Sequence, residues 1–538
     1  MSRTLVVGFD GAPLELARRW MEEGRMPALG ALCRDGAFGP MRSVFPYNSA
    51  VAWASLSTGV NPGRHGIFDF LLPREGDYQL RVATREDRRA PALWNRASEA
   101  GARVGVINIP MTFPAEHVNG IMVSGMDAPG LDERAVHPVT YLETLRRSAP
   151  GYRIISNAAK EASRGAWDAA ERELIDTLVA RSSLVADLAR PRDLDLLMVN
   201  LEATDGAHHF FWQHHDPTHP RHDPVLARRF GDTIARVYEA TDRELARIID
   251  AFSPDTVFVV SDHGGGPTND WLLFLNDWLA AEGFLSLAQS GTPSVTRRLY
   301  GELRGRLPVS VRRSLRPLLG RAVDRARQSA LYGDVDWSRS RAYAQMQAGV
   351  RLNLVGREPS GAVPPGDADA VLEELRARAQ RLRLQEGEPA FEAVRRSEDV
   401  YVGDAPGGWD LILELTAGLH IRSRNTTSRR GFLHRLADTG MYLPSGVHTP
   451  VGMVAAAGTG VEPRGLVGET DIHQVAASVL AVLGVPAPAL DGPPFGFVSA
   501  EWRPTDAEPA TVQDRPTDFS EQEEAEVLER LRGLGYVD

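Results

Sequence analysis

Three strand-like apolar runs in this chain end in side chains that bind divalent metals well. Thr4-Leu-Val-Val-Gly-Phe runs into Asp10, and Leu194-Asp-Leu-Leu-Met-Val-Asn-Leu-Glu202 runs into Asp205 and His209. Val257-Phe-Val-Val-Ser runs into Asp262 and His263, followed by Gly264, Gly265 and Gly266. In open α/β sheets, ligands gather at the carboxyl ends of the strands, so elements far apart in sequence converge on one edge. Runs that end alike therefore constrain the chain to a largely parallel sheet with these residues along that edge. The three glycines are expected to let the backbone turn sharply beside the Asp262-His263 pair.

After Asp10, helical periodicity from about Leu14 to Cys33 completes a strand–loop–helix unit. Arg103-Val-Gly-Val-Ile-Asn-Ile-Pro110 and Val451-Gly-Met-Val-Ala-Ala-Ala-Gly458 read as further strands, the latter just after His448. Strands alternating with helical stretches predict an α/β fold, a largely parallel central sheet with helices on both faces. The segment from Ser43 to Gly59 reads as a Pro-led turn feeding a short helix of small residues. Asn48 and Ser49 then lie near its N-terminus, where free N–H groups and the helix dipole favour an anion. Either residue also serves as an N-cap.

Between residues 286 and 340 the pattern breaks. Ten arginines from Arg297 to Arg327 interleave with Leu and Val against Glu302 and Asp324, which reads as a helical insertion. Its basic face is expected to pack on an acidic body rather than to seek a membrane. Core-type chain resumes near Arg341, with a helix from Asp367 to about Arg383 and a strand over Leu411–Leu415. Ser520 to Leu534 reads as a charged helix after a Pro- and acid-rich stretch. The expected division is a discontinuous catalytic unit (1–285 and 341–500), the insertion (286–340), and a tail with a helix (501–538).

Composition removes several function classes. A net charge of −11 over 538 residues argues against a coat on duplex nucleic acid. The one cysteine, Cys33, excludes an intramolecular disulfide framework and Cys-rich metal sites, and fits a reducing compartment. The chain enters a strand at once, without a signal-peptide core, and no run is long enough to span a bilayer. The expectation is a cytoplasmic protein with no transmembrane segment. Lys160 is the only lysine, and neither a Walker-type Gly-Lys-Ser/Thr nor a Gly-x-Gly-x-x-Gly opening a helix occurs. P-loop phosphotransfer and Rossmann hydride transfer thus lose their usual support.

Asp205 and His209 are spaced i, i+4, which puts them on one face of a helix. His448 is a further candidate ligand. Mixed carboxylate and imidazole ligation suits zinc or manganese better than calcium or magnesium. Two such clusters suggest two ions, an arrangement that clamps attacking and leaving oxygens. His208, His214, His215, His219 and His222 crowd the same stretch but lack the matching offset, and are expected at the surface or behind the ligands. His65 is expected to support a turn, and Trp53, Phe210 and Trp212 to form core or pocket wall.

Asp10, Thr58-Gly59-x-x-Pro62-x-x-His65-Gly66, Asp205-x-x-x-His209, Ser261-Asp262-His263-Gly264 and His448 occur in that order. Together they resemble the alkaline phosphatase superfamily, most of all its type I phosphodiesterase / nucleotide pyrophosphatase branch, over residues 4 to 492. The resemblance implies one metal on Asp205, His209 and His448 and another on Asp10, Asp262 and His263, that is, two divalent ions, zinc first with manganese as the alternative. Counting back from the Thr58-Gly59 turn, the family's nucleophilic threonine falls on Ser49; the superfamily's monoesterase and mutase branches use serine there.

A second departure concerns substrate. Where nucleotide pyrophosphatases carry a phosphate-contacting asparagine, this chain has Phe70, which leaves Asn48, Asn61 and Asn95 as alternatives. The implied activity is hydrolysis of a small phosphodiester or pyrophosphate through a phosphoseryl intermediate, with homo-oligomerisation left open. A phosphomonoesterase or phosphomutase using the same site is the alternative, and a metal-binding, non-catalytic docking protein the second.

Overall fold

Alternate residues of strand β1 (Thr4–Phe9) serve two different cores. Leu5, Val7 and Phe9 join one buried cluster and Val6 joins the other. Successive side chains on a strand point to opposite faces, so a strand covered on both sides is apolar throughout. The structure is a computed structural model that describes residues 2–189, 193–287, 332, 335–345, 349–384, 387–404, 408–423, 431–505 and 519–536.

The other strands of the central sheet are β2 (Ala37–Arg42), β3 (Val104–Ile107), β4 (Gly120–Val123), β5 (Val136–His137), β6 (Leu196–Leu201), β7 (Thr256–Val260), β8 (Val451–Gly458) and β9 (Gly465–Leu466). Their order across the sheet is β9-β2-β8-β7-β1-β6-β3-β4-β5, with a short strand at Thr470–Asp471 also on β2. The stretch β7-β1-β6-β3-β4 is parallel, as expected, so Asp10, Asp205 and Asp262 follow strands running the same way. Helices α1 (Leu14–Glu22), α3 (Trp167–Ala189), α4 (Ala203–His215) and α5 (Thr233–Phe252) line one face. The other is covered by α2 (Ser49–Thr58) and α6 (Gln474–Leu483).

Three features differ from expectation. The stretch from Leu14 to Cys33 is two helices, Leu14–Glu22 and Pro27–Asp35, because Gly24 adopts a left-handed φ of 76° and Pro27 opens the second. Strand β8 is antiparallel to both neighbours. It follows directly on a short hairpin strand, with no crossover helix to bring the chain back parallel. The strand expected at Leu411–Leu415 forms with those bounds, but in a separate antiparallel sheet with Ala342–Ala344, Gly349–Leu352 and Phe391–Arg396, built over its own buried cluster.

The chain leaves and re-enters this region through a bridge between Leu287 and Val335. The arginines from Arg297 to Arg327 lie outside the described residues. Helix α7 (Glu521–Leu534) packs into the main cluster through Val527, Leu531 and Leu534. Among the described residues, no helix is long and apolar enough to cross a membrane.

Candidate active site

Each candidate side chain is placed by the element that ends beside it. Asp10 follows β1, and the chain turns at once through Gly11, whose φ of +66° and close approach to Asp205 Oδ1 leave no room for a side chain. Asp205 and His209 lie one turn apart on α4, both buried. Asp262 and His263 follow β7 and are fully buried. His448 arrives on a two-stranded pairing of Gly264–Pro267 with Gly446–Thr449, in which it sits opposite Gly265. The glycines after His263 therefore form a strand rather than a sharp turn. Gly265 is needed because a Cβ there would strike the His208 ring.

Ser49 opens α2, and its predecessor Asn48 is the cap, accepting from Val51 N at 3.1 Å. The alternative left open between these residues resolves in this way: Asn48 caps, and the Ser49 hydroxyl is released to the sheet edge. It donates to Asp10 Oδ1 at 3.3 Å and lies 3.4 Å from His263 Nε2. The other oxygen of Asp10 accepts from Asn200 Nδ2 at 2.6 Å and Trp53 Nε1 at 3.0 Å. Thr204 Oγ1 donates to the Asp10 carbonyl at 2.6 Å.

Donor atoms converge in two groups, Asp205 with His209 and His448, and Asp10 with Asp205 and His263. The first is the triad inferred from the sequence. The second differs, because Asp205 takes part in both groups. Asp262 stands at its edge: Oδ1 accepts from Gly11 N at 3.2 Å, and Oδ2 lies 3.3 Å from His263 Nε2.

The donor chemistry fits divalent cations. A backbone carbonyl only accepts, so His209 Nδ1 must carry its proton toward Gly446 O, and His263 Nδ1 toward Gly264 O, each at 3.0 Å. In a neutral ring this leaves Nε2 as a bare lone pair facing the carboxylates, the tautomer metal-binding histidines adopt. His209 Nε2 and His448 Nε2 face each other at 3.0 Å, a contact that needs a shared proton or a cation. Asp262 Oδ2 is buried without a hydrogen-bond partner, a costly position unless a positive charge compensates it.

Electrostatics tell the same story. Burial, then the neighbouring Asp205, raises the Asp10 carboxyl above its usual range, against His263, Asn200 and Trp53. Burial and the charges of Asp10 and Asp205 push Asp262 well above it. Asp205 is held well below, because His209 and His448 together outweigh its burial. His209 is raised, Asp205 outweighing burial, whereas burial and nearby His263 push His448 down to about 3.

The remaining histidines are engaged elsewhere. His208 Nε2 pairs with the Tyr238 hydroxyl at 3.0 Å, His219 Nε2 donates to Ser445 O at 3.0 Å, and His215 and His222 donate to carbonyls. His214 packs edge-on against Trp167. His65 accepts from Ile67 N and pairs with Ser55 Oγ, holding the turn as expected. Asn95 is bound up with Ala92 N and Glu116, and Asn61 with Val400 O and Gly63 N. Asn48, beside Ser49, is engaged as well, Oδ1 accepting from Val51 N and Nδ2 donating to Asp69 Oδ1 at 3.4 Å.

Three partners of the site carry no signal that sequence reasoning used. Asn200 lies inside β6, and Trp53, expected as wall, also donates to Asp10. Tyr536, two residues beyond α7, brings its hydroxyl to 3.1 Å from Ser49 Oγ and 3.2 Å from Asp205 Oδ2.

Residues 4–450 match the family model of type I phosphodiesterase / nucleotide pyrophosphatase. The chain belongs to this family. It is accordingly a phosphoric ester hydrolase of a metal-dependent family, with Asp/His clusters able to hold metal. No curated protein matches the sequence. Among solved structures, murine ectonucleotide pyrophosphatase / phosphodiesterase 5, in an inactive form bound to AMP, is 12% identical with a TM-score of 0.51, covering 92% of this chain and 97% of that one. Phosphonoacetate hydrolase from Sinorhizobium meliloti 1021, in complex with phosphonoformate, is 16% identical with a TM-score of 0.51, covering 90% of this chain and 96% of that one. Identities this low carry the fold alone.

Proposed function

We propose that this protein hydrolyses a phosphodiester or pyrophosphate bond of a small molecule by attack of Ser49 on phosphorus. The observation that carries the reading is the position of Ser49 Oγ, against Asp10 Oδ1 and His263 Nε2 at the start of α2. Asp205, His209 and His448 would hold one divalent cation, and Asp10, His263 and Asp262 a second with Asp205 adjacent; the mixed oxygen and nitrogen set favours zinc, then manganese. Bound cations would supply positive charge to stabilise the serine alkoxide and the departing oxygen.

The chain's own groups do the rest. Asn200 and Trp53 fix one oxygen of Asp10, so the other is aimed at Ser49 and accepts its proton's hydrogen bond. Of the first-turn amides of α2, Val51 N is taken by the Asn48 cap, and those of Ser49 and Ala50 have no intrahelical acceptor and favour an anionic phosphoryl group beside Ser49. The Ser49 oxygen forms a bond to phosphorus as the bond to the leaving oxygen breaks, and the proton that Ser49 gives up ends on that leaving oxygen. Water then attacks the same phosphorus, releasing the serine hydroxyl and the phosphate product.

The catalytic unit is taken as residues 1–285 with 341–500, and 286–340 as an insertion. Turnover of an aryl phosphodiester and an aryl phosphomonoester, with zinc and with manganese, tests the substrate class; a faster monoester would favour the alternative. Ser49→Ala should abolish turnover with metal content unchanged, and retained activity would refute the nucleophile.

A further inference from the structure

The geometry points to Tyr536 as a catalytic residue, a neutral phenol beside Ser49 that turns its one O–H to the phosphoryl group formed there. This rests on the reading of Ser49 as nucleophile. Among the described residues, the Tyr536 hydroxyl is the one group from outside the sheet edge that touches both Ser49 Oγ, at 3.1 Å, and Asp205 Oδ2, at 3.2 Å. The carboxylate only accepts, so the phenol's single proton goes here to Asp205 Oδ2, and its oxygen stands within reach of Ser49 Oγ, to which that proton can turn as an oxyanion develops there. A phenol is uncharged near neutral pH, so it offers a proton to a developing oxyanion without adding a negative charge.

Two roles fit such a position, a plug that must leave before substrate enters and a permanent donor. The anchoring decides between them. Gly535, at a φ of +87°, ends α7, and Tyr536 N donates back to Leu531 O at 2.9 Å, which fixes where the side chain emerges. The ring packs 4.8 Å from Phe70, the position at which the nucleotide-hydrolysing branch would carry asparagine.

Behind it, Val527, Leu531 and Leu534 are buried in the main core. Arg530 donates to Ala128 O at 2.8 Å and Pro129 O at 2.7 Å, and Phe519 stacks on Phe113. Glu524 pairs with Arg74 and Glu523 with Arg134. Vacating the site with the helix would return this whole apolar face to water on every turnover, so a fixed donor is favoured.

The test is Tyr536→Phe in the full chain loaded with zinc, which keeps the ring on Phe70 and removes the hydroxyl. With an aryl phosphodiester, kcat should fall about 100-fold, the usual scale for losing one oxyanion donor. KM, metal content and melting temperature should stay near wild type. An unchanged kcat overturns the proposal, and a raised kcat/KM identifies a plug and overturns it equally.

Binding of inorganic phosphate, measured by calorimetry, provides the second readout. Tyr536→Phe should weaken it about 10-fold, and equal or tighter binding overturns the contact. Should wild-type protein turn over no ester, the hydrolase reading fails, while the phosphate comparison still decides whether Tyr536 contacts the anion.

Discussion

Gly8 links the core of the sheet to the chemistry, and Gly8→Ala should damage both. A Cβ at this position would stand 2.5 Å from Trp53 Cη2 and 2.7 Å from Asn200 Oδ1. Ordinary van der Waals contact begins near 3.4 Å, so each group must retreat by roughly 0.7–0.9 Å. Those same two side chains donate to Asp10 Oδ2, and Asp10 Oδ1 in turn receives the Ser49 proton's hydrogen bond. Overpacking a closed core costs about 1–3 kcal/mol, and disturbing hydrogen bonds to a carboxylate about 1.5–3 kcal/mol. Stability should therefore fall by about 2.5–6 kcal/mol in denaturant titration.

Activity should fall further than stability alone implies. A displacement approaching 1 Å near a reacting group costs about 100-fold in rate. Val6→Ala is the control: it removes buried volume one strand position pair away, on the same face, without touching Asp10. It should lose comparable stability and keep kcat at temperatures where it is folded. A Gly8→Ala enzyme with wild-type kcat and metal content would refute the coupling between this packing and the orientation of Asp10.

Because Asp205 donates to both convergent groups, Asp205→Asn should lower bound metal at both, while His448→Ala should lower it at one; elemental analysis after dialysis checks this, and equal losses would count against the shared carboxylate. His65 is held well below 6.5 by burial and then by the charges of His473 and Arg88, so it folds neutral. Its contribution to stability is full above pH 6.5 and should fade by about 1.4 kcal/mol per pH unit below it, as the unfolded form takes up a proton. His65→Gln should flatten the fall in melting temperature between pH 7 and pH 5, and an unchanged slope would place the acid sensitivity elsewhere.

Much of the sheet was legible because its rules are local. Apolar runs ending in acidic or imidazole residues marked β1, β6 and β7, and their parallel pairing followed from the intervening helices. The Asp205 and His209 pairing came from helical spacing alone. The direction of β8 was not legible, since a strand reads the same in either direction and only the short hairpin before it sets the sense. Likewise, periodicity joined Leu14 to Cys33 into one helix because two short amphipathic helices in sequence share one pattern; the Gly24 and Pro27 break is a matter of two residues.

At the site, what escaped the sequence is what tertiary contact decides. Gly265 looks like a turn residue, yet its role is to admit the His208 ring against a flat strand. Asp262 reads as an ordinary ligand, and its chemistry depends on a burial that leaves one oxygen without a hydrogen bond. Tyr536 is the extreme case: no periodicity or spacing relates it to residues 331 and 487 positions away, and the sequence alone makes it the residue after a helix. Its relation to Ser49 exists because α7 buries Val527 and Leu531 in the same core that carries β1. Motif spacing thus finds the groups that strands deliver to an edge, whereas a group delivered from a distant helix is found only when the packing that delivers it is seen.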